Sequence, residues 1–118
     1  MERDPRVYLW DVQDAAADLI QFTAGLNFLE YQENKLVRAA VERKLEVIGQ
    51  ASNQLSKHSP ELAQRIPELR RIVDFRNVLI HGYSTIDHDE VWENVQQRLP
   101  ALRETVSAML AELGPPEP

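Results

Sequence analysis

Residues 67–83 read PELRRIVDFRNVLIHGY. Leu69, Ile72, Val73, Leu79 and Ile80 recur at the spacing of one apolar stripe on a helix that faces a core. Arg76 falls inside that stripe. At about 100° per residue its side chain points within roughly 60° of each of those five positions. A guanidinium aimed at packed surface is costly unless something answers it. Pro67 suits the start of such a helix, and Gly82 suits the left-handed turn beyond its end. Arg76, Asn77, His81 and Tyr83 therefore occupy the place where a buried helix is expected to stop.

The same periodicity runs outward in both directions, with no alternating apolar stretch that would read as a strand. A first helix is expected from Pro5 to Ala24, with Asp4 as its cap and Gly25 near its end, and Leu9, Val12, Ala16, Leu19 and Thr23 on one face. Residues Asn27 to Gln32 read as a short junction. A second helix of about two dozen residues then runs to Ser56, stacking Val37, Val41, Leu45, Ile48, Ser52 and Leu55 on one side. Its flank carries Glu42, Glu46 and Asn53 beside Gly49, a residue that costs a helix up to about 1 kcal/mol against alanine and so suggests a close approach by another helix. Ser59 and Pro60 open a short helix, and Pro67 opens the one that carries the quoted stretch. Asp87 and Glu90 have the spacing of a capping box ahead of a last helix from His88 to Leu113, which Pro100 is expected to kink. Short connections make neighbours antiparallel. The fold class is all-α: an up-and-down bundle of four principal helices plus one short helix, a single domain over residues 1–113 with a frayed, proline-rich tail over 114–118.

The chain has 118 residues, no cysteine and a formal net charge of −6. Disulfides, thiolate catalysis and cysteine-ligated metals are excluded. The charged start MERDPRVYLW has no apolar signal core, and no apolar run approaches membrane-spanning length, so a cytoplasmic protein away from membranes is expected. A sequence pI near 5.0 argues against a broad nucleic-acid footprint, DNA included. Any RNA contact must be local. Arg65, Arg70, Arg71 and Arg76 crowd into one interval, which reads either as a compact basic cleft or as a solvated helix face.

The chemistry open to residues 76–83 is narrow. Histidine exchanges protons near neutrality, and arginine offers a permanent charge whose donor fork fits phosphate oxygens. Together they suffice for RNA cleavage by the ribose 2′-hydroxyl, with no metal or cofactor required. Yet Arg76 and His81 diverge by roughly 140° on an ideal helix. They converge only if the helix end unwinds at Gly82 or a second copy contributes, and the polar ridge of Asp74, Asn77 and His81 could meet its counterpart at a two-fold interface. Plainer roles fit the same residues: His81 against terminal carbonyls, Arg76 in an ion pair with Glu42 or Glu46, and Tyr83 as a packing residue with a wet tip.

RNVLIHGY at 76–83, VERKLEVIGQAS at 41–52 and DHDEVWENVQQRLPAL at 87–102 together resemble the HepT-like branch of the HEPN family. The signature R-x-x-x-x-H-x-Y falls on Arg76, His81 and Tyr83, with Asn77 a common family choice. The resemblance implies a homodimeric helical bundle whose signature helices share a cleft. It also implies a metal-independent endoribonuclease that serves as the toxin of a type VII-like toxin-antitoxin pair. By it Arg76 and His81 are catalytic, Asn77 supports them, and Tyr83 accepts AMP from an MntA-like nucleotidyltransferase antitoxin that thereby silences the toxin. Two departures stand out: Gln50 where glutamate is usual, and Pro67-Glu68-Leu69 where the lead-in usually carries tryptophan. The alternative function is a non-catalytic module that docks a nucleotidyltransferase or nucleotide through the same cleft.

Overall fold

The computed structural model describes residues 4–67, 69–74 and 87–114. Among the described residues every regular element is a helix. Helix α1 spans Pro5–Thr23, α2 Phe28–Glu33, α3 Lys35–His58 and α4 Pro60–Ala63. Residues 69–74 are helical and form the described part of α5. Helix α6 spans His88–Glu93 and runs through a π-helical turn at Asn94–Arg98 into α7, Leu99–Leu113. The all-α bundle expected from periodicity is the observed architecture, with two short helices before α5 where one was expected.

Local chemistry explains most boundaries. Asp4 caps α1 by accepting the Arg6 backbone N–H at 3.0 Å, and its carboxylate also pairs with the Arg6 guanidinium at 2.6 Å. Arg6 Nη1 reaches on to donate to the Leu113 carbonyl at 3.1 Å, so a cation sits on the C-terminal carbonyls of α7 and joins the two ends of the chain. Gly25 follows α1 with a φ of 79°, a conformation that suits glycine.

The expected junction at Asn27–Gln32 is instead mostly helix. Asn27 Oδ1 accepts the Glu30 N–H at 2.8 Å while Glu30 Oε1 accepts the Asn27 N–H at 3.0 Å, a reciprocal capping box that starts α2. The next cap, Asn34, accepts the Val37 N–H at 3.1 Å and starts α3. At α6, Asp87 accepts the Glu90 N–H at 3.2 Å, as its spacing predicts.

At Pro100, where a kink is expected, the structure has a π turn just ahead of the proline. Pro100 has no N–H to donate and its ring crowds the carbonyl four residues back. One turn widens just before it, and the Leu99 N–H bonds to the Asn94 carbonyl five residues back. Asn94 straps this turn: its Nδ2 donates to the Glu90 carbonyl at 2.8 Å, and its Oδ1 accepts from Arg98 Nη1 at 3.1 Å.

One apolar cluster fills the space between the helices. Leu9, Val12, Ala16 and Leu19 of α1 meet Val41, Leu45, Ile48 and Leu55 of α3, with Val91, Val95, Leu102 and Val106 closing the third side. Ala15 and Ala16 are buried small residues on α1, the helix that packs along both α3 and α7. Gly49 and Ser52 are buried on α3. No described helix is long and apolar enough to cross a membrane.

Burial sets the expected cost of mutation. Leu19 is 0% exposed, so Leu19→Ala should lower stability by about 2–5 kcal/mol, whereas Leu29→Ala, at a residue 58% exposed, should stay within about 0.5 kcal/mol. Urea denaturation midpoints at unchanged slope measure both, and equal midpoint shifts for the two variants would contradict this core.

Candidate functional site

Arg76, Asn77, His81 and Tyr83 lie outside the described residues. What the structure does describe is how the chain enters and leaves that segment. On entry, Leu69 and Val73 are buried at 7% and 9% exposure, so the apolar stripe read from the sequence does face the core over residues 69–74. Ile72 lies with Leu45, Ile48, Leu99 and Leu102 around a crevice of only about 20 Å³. Asn94 and Arg98 of the π turn complete that crevice. Helix α5 thus starts wedged between α3 and α7, with Arg70, Arg71 and Asp74 on its exposed side.

On exit, Asp87 caps α6 and His88 is held by Arg38 of α3, with His88 Nε2 and Arg38 Nη1 2.8 Å apart. A guanidinium can only donate, so His88 Nε2 is the acceptor and the ring proton belongs on Nδ1. That Nδ1, the Arg38 Nε and the Tyr31 hydroxyl are all buried with no hydrogen-bond partner among the described residues. Tyr31 is fully buried with its ring centroid 5.1 Å from that of Trp92, which also meets Phe28 at 6.3 Å. Burial pushes the Tyr31 phenol far above its ordinary range, the Glu42 carboxylate adds to that push, and the Arg38 guanidinium opposes it. Tyr31 is therefore a protonated, water-excluded phenol.

This corner of Tyr31, Arg38, His88 and Trp92 was not anticipated from the sequence. Its members come from three helices, one of them the unexpected α2. The available signal was the N-x-x-E spacing of Asn27 and Glu30, which marks a helix start.

The arginine-rich interval separates into distinct fates. Arg65 pairs with Glu112 at 2.5 Å across to α7, which neutralises it. Arg71 is engaged in an interaction of its own. Arg70 is exposed and makes no ion pair among the described residues. It lines, with Asn53, Ser56 and Gln64, an open cleft of about 390 Å³ between the end of α3, α4 and the start of α5. Of the two carboxylates open to Arg76 in the plainer reading, Glu46 lies 3.4 Å from Arg43 on its own helix, while Glu42 stands near Tyr31. No group of three histidine or acidic side chains suited to a metal ion occurs among the described residues.

Comparison with known proteins bears directly on this arrangement. The family model described as "Ribonuclease HepT-like" matches residues 12–109. A Methanocaldococcus jannaschii protein named "Putative RNase MJ1380" is 35% identical over 105 residues, covering 89% of this chain and 95% of its own. A Thermococcus cleftensis protein named "Probable ribonuclease HepT" is 32% identical over 103 residues, covering 87% and 93%. A third, from Caldanaerobacter subterraneus and named "Putative RNase TTE0752", is 29% identical over 108 residues, covering 92% and 96%. No solved structure matches the chain significantly.

The buried phenol sets a pH test. Its raised pKa means that the folded chain resists ionisation there, so stability is intact below pH about 10 and is lost as pH rises beyond it. Tyr31→Phe should be neutral to stabilising by about 1 kcal/mol at pH 7, because it removes an unpaired buried hydroxyl. It should also flatten the alkaline loss. Urea titrations of both proteins between pH 7 and 11 measure this, and parallel curves would refute it.

Proposed function

Since the chain belongs to the HepT-like ribonuclease family, we propose that it is a metal-independent endoribonuclease, the toxin of a toxin-antitoxin pair, acting as a homodimer. The observation that carries the reading is the R-x-x-x-x-H-x-Y signature at Arg76, His81 and Tyr83, within a chain that matches the family over residues 12–109. The names of its relatives as ribonucleases support RNA as the substrate class.

In the proposed reaction the ribose 2′-oxygen bonds to the adjacent phosphorus while the bond from phosphorus to the 5′-oxygen breaks. The products are a 2′,3′-cyclic phosphate and a free 5′-hydroxyl. The proton lost by the 2′-hydroxyl is balanced by one gained by the leaving 5′-oxygen, and His81 is suited to the transfers because imidazole titrates near neutrality. Arg76 stabilises the charge that accumulates on the phosphoryl oxygens, and Asn77 supports it. These residues supply charge stabilisation and proton transfer without a metal ion. On one helix Arg76 and His81 diverge by roughly 140°. Two copies meeting about a two-fold axis can place the arginine of one beside the histidine of the other.

Tyr83 closes the signature two residues after His81 and is the proposed acceptor of AMP from an MntA-like nucleotidyltransferase. The step forms a bond from the tyrosine oxygen to the α-phosphorus of ATP, releases pyrophosphate and sheds the phenolic proton. Added bulk and negative charge would then stand where an RNA phosphate must bind. The rival reading, a non-catalytic module that docks the nucleotidyltransferase or a nucleotide, is favoured by the net charge of −6.

His81→Ala and Arg76→Ala should each reduce cleavage of total RNA, assayed in chelator, by at least about 100-fold while leaving the melting temperature near that of wild type. Wild-type protein that yields no product absent from the variants would leave the docking role. Co-expression with the nucleotidyltransferase should add AMP to wild type and not to Tyr83→Phe, as read by intact mass; adducts that persist in the variant would reassign the acceptor.

A further inference from the structure

The cleft at the entry to α5 has the features of a place for part of the substrate. Its volume of about 390 Å³ falls within the range of small-molecule sites. Buried Ile66 and Val73 give it an apolar floor, Asn53, Ser56 and Gln64 bring neutral polar groups, and Arg70 is the one charged side chain among its described lining residues. Among the described residues that arginine makes no ion pair, unlike Arg65, which is bound to Glu112. Val73 stands three positions ahead of Arg76, so chain length alone keeps their Cα atoms within about 11 Å.

Resting on the ribonuclease reading, we propose that this cleft is a subsite for one nucleotide of single-stranded RNA next to the scissile phosphate. The apolar floor takes the face of the base, a contact that tolerates any base. The Asn53 and Gln64 amides each offer donors and an acceptor, which lets them read a base edge and confer a preference. Arg70 binds the backbone phosphate of that nucleotide. A local site of this kind suits a chain of net charge −6, because binding depends on a few placed groups and not on a general positive field.

The test uses a 2′-O-methyl oligonucleotide, which lacks the attacking hydroxyl and so binds without being cut, and a randomised RNA whose cut ends are sequenced. Arg70→Gln, at an exposed position, should weaken oligonucleotide binding about tenfold. It should also lower the slope of log affinity against log salt by about 0.7, the value for one phosphate contact on a single strand. Gln64→Ala and Asn53→Ala should flatten the base preference at one position beside the cut, with the loss falling on KM more than on kcat. Ser56→Trp, which fills the cleft, should abolish oligonucleotide binding at unchanged oligomeric state. If wild type cuts RNA, His81→Ala does not, and these variants match wild type in slope and preference, the subsite is refuted while the ribonuclease reading stands. Dissociation of an oligomer by Ser56→Trp would make the cleft a contact between copies and overturn the proposal. A wild-type protein that neither binds the oligonucleotide nor cuts RNA removes the ribonuclease reading, and the subsite with it.

Discussion

The seam between α3 and α7 receives the start of α5. Leu45 and Ile48 on one side and Leu99 and Leu102 on the other leave a crevice of about 20 Å³ beside Ile72. With Leu69 and Val73 also buried, one face of α5 is committed to apolar contact before the first signature residue is reached. A side chain that continues this face must be either apolar or paired, since an unanswered charge there costs several kcal/mol. Arg76 continues it in sequence. The sequence period thus carries an arginine onto the face that is apolar over residues 69–74.

The long helices were legible because their signals are local and mutually consistent. Asp4 with Pro5, the apolar stripe of Val41, Leu45, Ile48 and Leu55, and Asp87 with Glu90 each combine a cap with a periodic face, and the structure follows all three. Helix α2 was harder to see, because its six residues are too few to display a period, although Asn27 and Glu30 carry its capping box. The corner of Tyr31, Arg38, His88 and Trp92 depends on contacts as distant as Arg38 to His88, which no local pattern encodes. The cleft beside Arg70 was visible only as a crowding of arginines, since charge density does not tell which cation will be neutralised across the fold. Arg76, Asn77, His81 and Tyr83 were legible as a motif, and their arrangement lies outside the described residues.

The π turn illustrates how a local conflict is settled by neighbouring polar groups. Pro100 removes a donor in the middle of a long helical run, yet α6 and α7 remain joined because the Leu99 N–H shifts to the Asn94 carbonyl. Asn94 bonds to both Glu90 and Arg98, which fixes the widened turn in one geometry. Asn94, Arg98 and Leu99 are also walls of the Ile72 crevice. The proline thus shapes the surface on which α5 sits, and a defect in one helix becomes a constraint on the placement of another.

Charge distribution completes the physical picture. An acidic chain can hold RNA only where its cations are free of its own carboxylates, because an internal pair removes both the charge and the donor fork from any ligand. Arg6, Lys44 and Arg65 are spent on Asp4, Asp18 and Glu112, the last two pairs reaching between elements of the bundle. Arg38 is held by a histidine instead of a carboxylate, which leaves its positive charge in place beside the fully buried Tyr31. Arg70 has no such tie among the described residues and lines an open cleft. Net charge alone does not describe where this fold leaves positive groups unpaired, and among the described residues the start of α5 holds one such group, close in sequence to Arg76.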